Sequence, residues 1–265
     1  MNVPYYQVNA FCKDSYSGNP AGVCVLKDWL STDELQSIAA QTYLPETVFL
    51  FLNSPNQWSI RWFSPLVEID LSGHGTLAAS HILFEEGFSE GAKSICFSSS
   101  SGELKVTKLE NGALSLALPS LPSRICVASP LLIEGLGAYP NETYIGLDCL
   151  CVFSDESIVL DMQPDPILLK RITGARGIIA TALSADPKVD YVTRYFAPAC
   201  GVDEDEVSGS IHYILVPYWS KKLEKDTLRV KQLSSRGTSF KCGVSKNGIW
   251  VEGKADTFMR GHISI

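Results

Sequence analysis

The chain has 265 residues, 45% of them hydrophobic and 19% charged, a globular composition long enough for two ordinary domains or one large one. Its formal net charge of −7 leaves no concentrated Lys/Arg footprint for a nucleic acid. No stretch approaches the roughly 18 apolar residues of a membrane span, so neither polyanion nor membrane is an expected partner.

The opening MNVPYYQVNAF lacks a basic region followed by an apolar run and alternates like a first strand. A cytoplasmic location is therefore expected. The eight cysteines contain no CxxC pair, which suits reduced thiols used as small hydrophobes. A capping box, Ser31-x-x-Glu34, announces a helix through Leu35, Ile38 and Ala39 towards Thr42. The turn Leu44-Pro45 then delivers Glu46 to a strand over 47–52. The apolar stretch 72–86 lacks strict alternation and stops at Gly87, which predicts a helix.

The second half repeats this order. Arg61-Trp62-Phe63-Ser64-Pro65 returns 133 positions later as Arg194-Tyr195-Phe196-Ala197-Pro198. The Ser72-Gly73 step returns 136 positions later as Ser208-Gly209, and Asn111-Gly112 as Asn247-Gly248. Three matches in one order at nearly one offset predict two homologous halves, each with strands around one long helix. The expected division is 1–118 plus 255–265 against 119–254, with helices 72–86 and 208–220 equivalent. Pro217 should kink or end the second helix.

A serine N-cap followed by small residues leaves backbone N–H groups at the positive end of a helix, where a carboxylate can bind. Ser72 and Ser208 fit that description, and equally fit plain caps. Glu46 stands at a turn-to-strand junction where burial raises a carboxyl pKa towards the range of a general acid or base. It also reads as an exposed strand-edge carboxylate. His74 falls in the first turn beside the anion site, His81 suits a packing role, and Asp205 precedes the second helix start by less than a turn, where it complements the helix dipole. Four histidines without HExxH or paired cysteines give no metal site, and no GxGxxG or GxxxxGK[ST] fingerprint is present. No metal and no cofactor is expected.

Ser17-Gly18-Asn19-Pro20-Ala21-Gly22-Val23, Leu44-Pro45-Glu46-Thr47, Gly73-His74-Gly75-Thr76, Glu204-Asp205 with Gly209-Ser210, and Arg236-Gly237 together resemble the PhzF-like, phenazine-biosynthesis family. The order matches over nearly the whole chain. The resemblance implies an α+β, diaminopimelate-epimerase-like fold: two pseudo-symmetric lobes, each a sheet wrapped around a central helix, with the active site between them. It implies that the last strand returns to the first lobe. Its acid/base glutamate falls on Glu46. Its other site positions fall on Asn19, Ser72, Gly73, His74, Gly75, Asp205, Ser208, Gly209 and Ser210, as binding groups for a small anionic metabolite. It further implies homodimers and a cofactor-free isomerisation like that of a dihydro-hydroxyanthranilate.

Epimerases of this fold carry cysteines where this chain has Ser72 and Ser208, so two-thiol racemisation is disfavoured. Three further departures bear on the pocket. Gly75 replaces the usual alanine or proline, Glu206 replaces proline and adds negative charge, and Ile211 replaces a small residue and crowds the second helix start. The alternative reading of these departures is a non-catalytic homologue that binds a small carboxylate.

Overall fold

The structure, a computed structural model, describes residues 2–89 and 91–265. Its chain divides into Met1–Leu118 with Trp250–Ile265 as one unit and Pro119–Ile249 as the other. The first unit contains β1 (Asn2–Ala10), β2 (Asn19–Leu26), α1 (Thr32–Thr42), β3 (Glu46–Ser54), β4 (Gln57–Phe63), β5 (Glu68–Ile69), α2 (Gly73–Glu85), β6 (Ser94–Ser99), β7 (Gly102–Lys108) and β8 (Leu114–Leu118). The second contains β9 (Arg124–Cys126), α3 (Pro130–Leu136), β10 (Glu142–Ile145), β11 (Cys149–Val152), α4 (Glu156–Asp161), α5 (Pro166–Leu169), β12 (Ile178–Leu183), β13 (Tyr191–Phe196), α6 (His212–Leu223), β14 (Thr227–Gln232) and β15 (Ser239–Ser245). The unit boundary falls inside β16 (Gly248–Gly253), after which β17 (Ala255–Ser264) pairs antiparallel with β1.

The strand pairings repeat as the motifs do. In the first unit β1–β2 is antiparallel, β2–β3 parallel, β3–β4 antiparallel, β4–β6 parallel and β6–β7 antiparallel. In the second, β10–β11, β11–β12, β12–β13, β13–β14 and β14–β15 follow the same alternation. Parallel neighbours need a crossover, and helices supply it: α1 and α2 in the first unit, α4 with α5 and then α6 in the second. The repeated Arg-aromatic strands also carry one device twice. Arg61 forks onto both Glu68 oxygens at 2.7 Å, and Arg194 onto both Glu204 oxygens at 2.7 Å. Each guanidinium lies over the phenylalanine two residues on, Phe63 at 5.1 Å and Phe196 at 5.0 Å.

The two long helices are built differently. In α2, Gly73 to Ser80 are all buried, as are Ile82 and Leu83, and the helix packs against β1, β2, β3, β8 and β17. A helix apolar all round belongs in a core. Its hydroxyls are satisfied locally, Thr76 Oγ1 donating to the Ser72 carbonyl and Ser80 Oγ to that of Thr76. The expected span 72–86 is shortened only by its cap residues.

The expectation that Ser208 opens the second helix is corrected. Helix α6 begins at His212, and Ile211 at its N-cap makes no side-chain cap bond. Tight turn bonds, His212 N to the Gly209 carbonyl and Tyr213 N to that of Ser210, occupy the segment where the first helical turn was expected. Asp205 consequently lies seven residues before the helix and does not complement its dipole. Pro217 is inside α6, which continues to Leu223, so the proline does not end it. In the last turn of α6 Lys222 pairs with Glu142, and just beyond the helix Lys225 pairs with Asp190.

His212 is fully buried, edge-on to Phe240 at 5.1 Å, with Nδ1 2.8 Å from the Tyr191 hydroxyl. Burial pushes its pKa from 6.5 down to about 3. As pH falls, the unfolded chain therefore binds this proton before the folded one does. The stabilisation from a neutral His212 is full above pH 6.5 and is lost progressively towards pH 3. Urea titrations across that window should show His212→Gln losing less stability per pH unit than wild type, the difference reaching at most about 1.4 kcal/mol per unit. Equal slopes would show that His212 adds nothing to the acid sensitivity.

Candidate active site

Helix α1 ends on Tyr43, which adopts the left-handed conformation with φ 55°, and Leu44-Pro45 redirect the chain so that β3 starts on Glu46. Parallel pairing then sets Glu46 opposite Ala21. Asn19 lies two residues before Ala21 and shares its face of the strand, so Asn19 and Glu46 face the same side. Both are buried, Asn19 completely and Glu46 to 8% exposure. Gly18, at φ 79°, makes the preceding turn, because a Cβ there would strike the Ala10 carbonyl.

Against Glu46 stands the first turn of α2. His74 is 3% exposed, and its Nε2 is 3.6 Å from Glu46 Oε2. Ser72 caps the helix by accepting the Gly75 N–H at 3.0 Å. Gly75 is what lets the carboxylate approach: a Cβ at that position would lie 2.8 Å from Glu46 Oε2, 2.9 Å from Ser72 Oγ and 2.9 Å from Val48 Cγ2. The structure thus brings together Asn19, Glu46, Ser72, Gly73, His74 and Gly75 within the first unit. His81, by contrast, bonds Thr257 Oγ1 at 3.1 Å on the helix flank.

In the second unit Asp205, Ser208, Gly209 and Ser210 are all buried. A side chain that the sequence motifs do not flag holds them. Gln232 accepts the Ser208 N–H at 2.8 Å and donates to the Asp205 carbonyl at 2.6 Å. Arg176 was missed as well. It forks onto Asp148, Nε to Oδ1 at 3.1 Å and Nη2 to Oδ2 at 2.8 Å, and Nη2 also donates to Ser210 Oγ at 3.3 Å. Burial works against the guanidinium charge, but the attraction of Asp148 outweighs it and holds Arg176 protonated well above its ordinary range. No local pattern in the sequence marks it; beside it, a Cβ at Gly177 would collide with the Tyr195 ring.

Of the two remaining departures, Glu206 turns its carboxylate to the loop that follows β14, accepting from Ser235 Oγ at 3.0 Å and the Arg236 N–H at 2.9 Å. Ile211 is fully buried ahead of α6. All eight cysteines are free thiols. No helix among the described residues is long and apolar enough to cross a membrane.

This constellation runs through a chain whose residues 8–261 match the family model for phenazine biosynthesis-like proteins. The chain belongs to the PhzC/PhzF family. An uncharacterized isomerase of Pseudomonas aeruginosa is 36% identical over the full length of both chains. A crystal structure of a PhzF family protein from Enterococcus faecalis shares 38% identity, covers 100% of each chain and superposes with a TM-score of 0.90. A predicted epimerase of Pseudomonas aeruginosa, only 16% identical, covers 98% of this chain and 99% of its own with a TM-score of 0.75, a likeness of fold. The fold is accordingly the mixed α+β, diaminopimelate-epimerase-like one, and the family is one of PhzF-like isomerases.

Replacing Gly75 by alanine should displace the Glu46 carboxylate while leaving α2 in place, since the obstructing atoms are side-chain ends. A structure of the variant should show Glu46 Oε2 farther than 3.6 Å from His74 Nε2. An unmoved carboxylate would contradict the close approach assigned to Gly75.

Proposed function

We propose that this protein is a cofactor-independent isomerase that moves a proton between carbons of a small anionic amino- or hydroxy-carboxylate, with Glu46 as general base and then general acid. The observation that carries this reading is the Glu46–His74 arrangement, two titratable side chains nearly excluded from water and 3.6 Å apart at a helix start. The Glu46 carboxylate takes a proton from one carbon of an unsaturated substrate. The electron pair left behind shifts the double bond, and the protonated Glu46 returns its proton to the far carbon. Atoms and electrons balance within one molecule, so no redox partner is consumed.

In this reading His74 and Asp205 position the substrate's amine or hydroxyl. Asn19, Ser210 and the backbone at Gly73 and Gly209 hold its carboxylate. A dihydro-hydroxyanthranilate is the substrate model that the family suggests. The free thiols suit a cytoplasmic protein, and family likeness suggests a homodimer, which light scattering would test. Chelators should leave turnover unchanged. A tightly bound stoichiometric metal in elemental analysis would refute the cofactor-independent part.

The central test is turnover on dihydro-hydroxyanthranilate-like substrates in deuterated water. Glu46→Gln should fold and bind ligand yet lose at least ~10²-fold in rate, the usual contribution of a general acid/base. Ser72→Ala should lose less activity, with a stability cost of ~1 kcal/mol from its lost cap. Ser208→Ala, whose hydroxyl caps no helix, should also lose less activity than Glu46→Gln. A two-base racemase would show the reverse ranking, and a non-catalytic binder would hold the carboxylate without turnover. Full activity in Glu46→Gln would remove the proposal.

A further inference from the structure

The segment around Arg176 is neither helix nor strand, yet its backbone is clamped. The Arg176 N–H donates to the Leu147 carbonyl at 2.8 Å, and the Cys149 N–H to that of Gly177 at 2.9 Å. The guanidinium meets an Asp148 carboxylate that is completely buried. Asp148 is itself anchored, accepting the Tyr195 hydroxyl at 2.8 Å on Oδ1 and donating its N–H to the Tyr213 hydroxyl at 2.7 Å. Tyr213 lies in the first turn of α6, three residues beyond Ser210. A buried pair of this kind rarely adds stability over apolar residues of similar volume, so a core role alone does not explain it.

Two features of the pair bear on Ser210. Asp148 compensates the charge of Arg176, which therefore offers little net attraction to an anion. A guanidinium can only donate, so in its contact with Arg176 Nη2 the Ser210 oxygen is the acceptor. The Ser210 hydroxyl hydrogen must then point elsewhere. We propose that the Asp148–Arg176 pair is a positioning device that fixes the Ser210 hydroxyl as a hydrogen-bond donor to the substrate's carboxylate. This deepens the reading given above and rests on it in one respect, that Ser210 holds that carboxylate.

Calorimetric binding of a hydroxyanthranilate and of an aminophenol lacking its carboxylate separates the cases. Wild type should prefer the hydroxyanthranilate. Ser210→Ala should reduce that preference by about tenfold, the scale of one hydrogen bond to a charged group. The variant Asp148→Asn/Arg176→Gln, which keeps amides in place of both charges, should reduce it by a similar factor. Combining it with Ser210→Ala should add nothing further, because the pair acts through that hydroxyl. A pair that merely braces the core would lower the melting temperature and leave the preference intact, or its effect would multiply with that of Ser210→Ala. Either outcome overturns the proposal. Should the paired variant not fold, Tyr195→Phe removes one anchor of Asp148 and permits the same cycle at smaller amplitude. Unchanged preference in Ser210→Ala would instead overturn the assignment of Ser210 to the carboxylate, and with it this inference, while leaving the role of Glu46 to its own test.

Discussion

Burying a helix on every side is possible only when its side chains bring in no unpaired charge and are small enough for strands to close around it. Helix α2 meets both demands. From Gly73 to Phe84 it has no acidic or cationic side chain other than two histidines, and glycine, alanine, serine and threonine supply much of its surface. Its two glycines, Gly73 and Gly75, both lie in the first turn. At Gly75 the missing Cβ leaves the space into which Glu46 fits. The position of the buried carboxylate therefore follows from how β3 and α2 pack, and needs no mobile loop to bring it there.

The two units share a plan and differ where chemistry is expected. Both alternate antiparallel and parallel pairs in the same order, and both lock the Arg-aromatic strand to a glutamate with a two-pronged bond. Their helix entries have diverged. The first unit uses a side-chain cap, Ser72 on Gly75. The second replaces that local bond with long-range ones, Gln232 across the 205–208 segment and Arg176 on Ser210. Local capping fixes a backbone, whereas a long-range donor also fixes which way a hydroxyl can point. Under the role proposed for Ser210, this difference separates a turn that receives a carboxylate side chain from one built around an oriented hydroxyl.

That difference also explains what the sequence could and could not reveal. The capping box at Ser31 and Glu34, the span of α2, the delivery of Glu46 to the start of a strand and the repeated Arg-aromatic motif all depend on neighbours within a few positions, and all were legible. The start of α6 was not. Ser208-Gly209 has the local chemistry of a cap, but the turn bonds from His212 to Gly209 and from Tyr213 to Ser210 displace the helix start to His212. Arg176 and Asp148 were invisible for the same reason. They lie 28 residues apart without any periodic pattern, and only the pairing of β11 with β12 brings them together. Asn19 was placed only by the resemblance to the family, since no local pattern marks it.

Serine at both positions where epimerases of this fold carry cysteine constrains the chemistry further. Ser72 Oγ already accepts the Gly75 N–H, and an unassisted hydroxyl is a far weaker acid than a thiol with its pKa of about 8.5. Two thiols on opposite faces of a substrate can remove a proton from one side and deliver another from the opposite side, which inverts a centre. A single carboxylate has no such option. Under the one-glutamate reading the proton must leave and return on the same face, and the two carbons involved must both come within reach of one carboxylate that β3 holds in place. That geometry favours a shift between the two ends of an allylic or longer conjugated system, held in a flat ring or chain. It disfavours inversion at a saturated centre, so the same departure that argues against racemisation also narrows the class of substrate.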